Sequence, residues 1–164
     1  MATRGALGGS ETELGGSARL NVSLGTTVRL DRVMTTFGAE EAPWLGERVA
    51  VGPNGMRRFS CDLELLVGPE TRSLFRKAAI VGLGTPREGG DGWIVPVEWF
   101  AASLAPLFPV FVGELRLDSD RVELRGNYLP PGGVIGSVLD RALLSRAARG
   151  TGRWFLRKIA SVLG

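Results

Sequence analysis

From Arg57 to Leu129 the chain puts an apolar residue at alternate positions, in runs parted by short polar turns. That rhythm restricts the fold more than any other feature. In MRRFSCDLELLVG, Phe59, Cys61, Leu63, Leu65 and Val67 alternate with Ser60, Asp62 and Glu64, the period of a strand with one face buried and one in water. SLFRKAAIVGLG follows the turn PETR, and WIVPVEWFAA follows TPREGGDG. LFPVFVGELRL joins RVELRGNYL through Asp118-Ser119-Asp120. Connectors this short hold no crossover helix, so consecutive strands run antiparallel. Pro96 cannot donate to a ladder, which predicts an edge position or a bulge for its strand. Upstream, ARLNVSL (Ala18–Leu24) reads as a first strand. Thr27–Val51 reads as one or two short helices with Pro43 at a start or break, closed by a Pro53-Asn54-Gly55 turn.

After Pro130-Pro131-Gly132-Gly133 the period changes to that of a helix. Val134, Ile135, Val138, Leu139, Ala142 and Leu143 form an apolar stripe that resumes with Trp154, Phe155, Ile159, Val162 and Leu163. Residues 132–164 carry six basic side chains against Asp140 alone, net +5, while the other 131 residues carry 14 basic and 16 acidic. A solvated face explains this most simply, because a helix covering a sheet must show water something charged. A peripheral membrane contact through Arg149, Arg153 and Arg157 is the sharper reading. Nucleic acid is the least favoured, since no aromatics interleave with the cations. Gly150-Thr151-Gly152 predicts either a kink or a thinned stretch, with room for close sheet contact or a ligand beneath.

Composition removes several chemistries. The 164 residues include no histidine and one cysteine, Cys61, so a Ser-His-Asp triad, a Cys-His pair, an imidazole metal site and a four-thiolate site are all excluded. No metal or other cofactor is expected. A single cysteine forms no internal disulfide, in keeping with a cytoplasmic setting. Residues 1–17 offer almost nothing to bury and read as a disordered leader, leaving 18–164 as a single domain. Hydrophobic residues make up 44%, enough for one core at this length.

This order of elements resembles the helix-grip fold of the START and SRPBCC superfamily, which includes bacterial polyketide cyclases, lipid-transfer domains and plant pollen allergens. LAPLFPVFVGELRL with GNYLPPGGVIGSVLDRALLSRAARGTGRWFL is similar to the ending of bacterial proteins grouped near it. The resemblance implies an α+β fold, a curved antiparallel sheet of about six strands wrapped on a long C-terminal helix. It also implies an apolar ligand, lipid-like or polyketide-like, held between the two. Inward sheet positions would be bulky: Phe59, Leu65, Trp93 or Ile94, Trp99 or Phe100, Phe108, Phe111, Leu124 and Tyr128. Candidate ligand contacts are Trp99, Phe111, Arg125, Tyr128, Gly150 and Gly152. A cyclase or dehydratase on the same fold would depend on Glu98, Glu114, Tyr128 or an arginine, with a carboxylate on an inner face carrying a raised pKa. The competing reading of Glu98 and Glu114 is a solvent-face carboxylate paired with an arginine.

Overall fold

The strand rhythm becomes one antiparallel sheet. The computed structural model describes residues 17–66, 73–102, 110–129 and 141–164. The elements are β1 (Ala18–Gly25), a 3-10 turn (Leu30–Arg32), α1 (Val33–Gly38), β2 (Glu47–Val51), β3 (Arg57–Leu66), β4 (Ser73–Leu83), β5 (Arg87–Gly89), β6 (Gly92–Ala101), β7 (Val110–Asp118), β8 (Arg121–Leu129) and α2 (Arg141–Leu163). The sheet order is β1-β8-β7-β6-β4-β3-β2, with β5 alongside β6. Among the described residues eight strands thus stand where about six were expected. The additions, β2 and β5, lie in stretches read from sequence as helical insert and loop. The expected leader falls almost wholly outside the described residues, as do Phe108 and the start of the last helix.

β1 and β2 are the two ends of the sheet and do not pair with each other, so it stays open. The α2 helix packs on β1 and β8 and also on β3. β1 and β3 are five strand places apart, about 24 Å on a flat sheet. The sheet is curved, and its one face takes up the helix along both strands.

The inner face is apolar along every strand from β1 across to β3. Leu20 and Val22 of β1, Val122 and Leu124 of β8, Leu115 and Leu117 of β7, Val95 and Val97 of β6, Val81 and Leu83 of β4, and Phe59 and Leu63 of β3 are buried. α2 closes this face with Ala148, Phe155, Leu156, Ile159 and Leu163. Parity settles the two open choices: Trp93 and Trp99 share the inner face with Val95 and Val97. Ile94 and Phe100 face the other way.

Pro96 lies in a central strand, between β4 and β7, not at an edge. It is tolerated because the neighbour changes beside it. β4 pairs up to Leu83↔Val97 and β5 resumes at Arg87↔Ile94, so the missing N–H falls where the ladder is interrupted. Gly84 donates to the Pro96 carbonyl at 2.8 Å, and a Cβ on Gly84 would strike the proline ring. Gly55 and Gly90 have positive φ, 72° and 64°. Gly90 is the first of two loop residues between β5 and β6, where a II′ hairpin requires that backbone.

Of the two readings of Gly150-Thr151-Gly152, a break between two helices does not appear: α2 is a single helix through these residues. At the other end of the sheet, Arg57 ties the α1 excursion down. Its buried guanidinium donates to the Phe37 and Ala39 carbonyls, satisfying acceptors that the end of α1 leaves open.

Candidate functional site

Pairing registers place five inner-face residues in one row across the sheet. Tyr128 lies opposite Phe111, Phe111 opposite Trp99, Trp99 opposite Val81, and Val81 opposite Phe59. Trp99 stacks on Phe111 with centroids 4.2 Å apart and planes 21° from parallel, and meets Phe155 of α2 at 5.8 Å and 60°. Phe111 owes its position to glycine. Gly113 and Gly126 pair across β7 and β8, and a Cβ on either would come within 2.6 or 2.7 Å of the Phe111 ring. The ring therefore lies over a floor without side chains.

Trp99 is 2% exposed, yet its indole Nε1 has no hydrogen-bond partner among the described residues. Leaving such a donor unmade costs about 1–3 kcal/mol. Trp44 shares this property near the surface, where it packs edge-on against Phe37 at 5.4 Å. Trp99 has it inside the sheet–helix interior. The next inner-face row holds small residues: Ala101 opposite Ala79, and Ala79 opposite Cys61. Burial pushes the Cys61 thiol up to about 11, against a smaller opposing pull from Lys158.

Of the residues expected at a ligand, Trp99, Phe111 and Tyr128 come together in this row. Arg125 does not join them. Strand alternation turns it to the outer face, where it pairs with Glu123 at 2.8 Å, and that partner holds its pKa above the ordinary arginine value. Gly152 does not lie over a gap. A Cβ there would sit 3.2 Å from Val22 and 3.6 Å from Leu124, so the glycine lets α2 rest directly on β1 and β8. Gly150 is half-buried on the same helix.

The candidate acid/base pair lies on the wrong side of the sheet for an interior reaction. Glu98 accepts from Arg58 at 3.0 and 3.1 Å, and the same guanidinium stands 5.0 Å over Phe100. Glu114 accepts from Arg116 at 2.8 Å and from Arg87 at 3.4 Å. Both are outer-face ion pairs. Beside them an open polar groove of about 510 Å³, lined by Trp93, Ile94, Arg116, Arg121 and Glu123 among others, runs past the β5–β6 and β7–β8 turns. Sequence reading had no signal for it, because its walls come from two separate hairpins. Among the described residues no group of three His, Cys, Asp or Glu side chains is placed to hold a metal ion, and no helix is long and apolar enough to cross a membrane.

Comparison of the chain with protein-family models, with curated proteins and with solved structures returns no match.

Proposed function

We propose that this protein is a binding module for a small, largely apolar molecule held between the sheet and α2 in a helix-grip arrangement. The observation that carries the reading is the Trp99 Nε1–H: a donor inside the interior with no acceptor among the described residues. Buried polar groups are almost always satisfied, and an acceptor on a bound molecule would satisfy this one. The surroundings fit such a guest. Phe111 and Phe155 present aromatic surface around the indole, and the Ala101–Ala79–Cys61 row takes up little volume beside it. Small-molecule sites are built this way, with apolar walls and few polar groups that set orientation.

Binding accounts for the site better than catalysis, since Glu98 and Glu114 are engaged on the opposite face of the sheet. Native mass spectrometry of the purified protein tests the reading. The expected spectrum contains an adduct that survives gentle ionisation, leaves on denaturation and is diminished in Trp99→Ala. A bare-chain mass, together with failure to take up any apolar fluorescent probe, would remove the proposal.

A further inference from the structure

Among the described residues, arginines away from α2 mostly have partners. Arg29, Arg48, Arg58, Arg87, Arg116, Arg121 and Arg125 each bridge to a carboxylate, and Arg57 donates to backbone carbonyls. Arg146, Arg149, Arg153 and Arg157 differ. All four are exposed, and none forms an ion pair with a described residue. Their spacing of three, four and four residues sets them along one side of the helix, a ridge about 16 Å long. α2 carries no acidic residue at all. A helix face that only meets water usually mixes signs, because like charges four apart disfavour the helix and opposite charges support it. This face keeps the repulsion and omits the compensation.

Two further features suit a phosphate-bearing surface. Five of the six cations on α2 are arginine, whose planar fork binds phosphate through two hydrogen bonds at once. Trp154 lies half-buried beside the ridge, with the Lys158 ammonium 5.2 Å from its ring centre, and tryptophan with neighbouring cations is the pairing found at membrane–water boundaries. Because Lys158 already covers that ring, it is not a free platform for a nucleic-acid base. The cations also follow a convex helix and do not line a groove.

We infer that the Arg146–Arg157 ridge docks the protein on an anionic lipid bilayer. The contact lies on the surface and involves no insertion of a spanning segment. The ridge does not depend on what occupies the interior.

Co-sedimentation with vesicles tests this directly. The full chain is expected to bind mixed phosphatidylcholine–phosphatidylserine vesicles and not pure phosphatidylcholine, with binding lost at high salt. Replacing Arg149, Arg153 and Arg157 together by Gln is expected to weaken binding about 100-fold, from the contribution of each cation near such a surface. A charge-matched control, Arg87→Gln with Arg116→Gln and Arg125→Gln, removes three cations from the opposite side and is expected to bind as the wild type does. Equal loss in the control would reduce the effect to net charge and overturn the inference. So would undiminished binding of the α2 variant, or a random DNA duplex binding more tightly than the vesicles. If the α2 variant does not fold, the salt and lipid dependence of the wild type decides: binding to pure phosphatidylcholine, or binding that resists salt, contradicts the docking.

Discussion

Trp99 and Phe111 stack across β6 and β7 at 4.2 Å, and the Phe111 ring rests on the glycine pair Gly113 and Gly126. The stack is thus held from below by the absence of two side chains. A methyl at Gly113 would meet the Phe111 ring and the Arg125 carbonyl, and neither gives way without moving the strand pair. Gly113→Ala is therefore expected to cost at least about 3 kcal/mol in denaturant unfolding, at the upper end for overpacking. A cost below about 1 kcal/mol would mean that the ring is not seated on the glycines.

Gly152 makes the opposite kind of contact, helix against sheet. Its Cβ position is 3.2 Å from Val22, tight but beside the end of a side chain. Gly152→Ala gains helix propensity of about 1 kcal/mol against that crowding and is expected to be nearly neutral. Gly152→Leu has no room and is expected to destabilise by roughly 1–3 kcal/mol, with affinity for an apolar probe unchanged. A Leu variant of normal stability that no longer takes up the probe would place ligand space under this turn after all.

Cys61 gives a pH signature. Burial raises its thiol in the folded state to about 11 from an ordinary value of 9.0. Between those values the unfolded chain has lost the proton and the folded chain keeps it, so stability falls as pH rises through that window. The full effect is about 2–3 kcal/mol, and it is absent below pH 9. Cys61→Ala is expected to remove this component, seen by comparing unfolding at pH 8 and pH 11. In the wild type near neutrality, thiol reagents should react only as fast as the protein opens. Rapid labelling of the folded protein would contradict the burial.

How much of this was legible beforehand depends on how many strands a feature spans. The alternation Val95-Val97-Trp99 and Phe111-Leu115-Leu117 marked strands with one buried face, because period two acts within a single segment. β2 escaped notice because it is short and irregular: its register shifts between Arg48 and Ala50, and all five of its residues are exposed. β5 is Arg-Glu-Gly, with no apolar residue to mark it. Gly150 and Gly152 signal a break by local propensity, yet packing on Val22 and Leu124 overrides it. The row Tyr128–Phe111–Trp99–Val81–Phe59 was beyond reach, since it needs the registers of four strand pairs at once. Glu98 was ambiguous as a letter, and strand parity beside buried Val97 and Trp99 sends it outward to Arg58. The unpaired Nε1 of Trp99 has no sequence signal at all, because it depends on which acceptors the fold leaves out of reach.

The same outward pairing predicts the behaviour of both carboxylates. Glu98→Gln and Glu114→Gln are each expected to cost no more than about 1 kcal/mol, the ordinary worth of a solvent-accessible ion pair. Neither should alter probe binding in the interior. Loss of binding in either variant would bring a carboxylate back into the site.

The central claim is that the Trp99 N–H waits for an acceptor on an apolar guest, and indole N–H resonances in protein labelled with isotopic tryptophan test it most directly. The chain has four tryptophans, so Trp99→Phe assigns the signal. Titration with the naphthyl ketone prodan is expected to move the Trp99 resonance downfield and saturably, while the ketone-free parent dimethylaminonaphthalene binds without that shift. A Trp99 signal that stays in place while both compounds are added at saturating concentration would contradict the account.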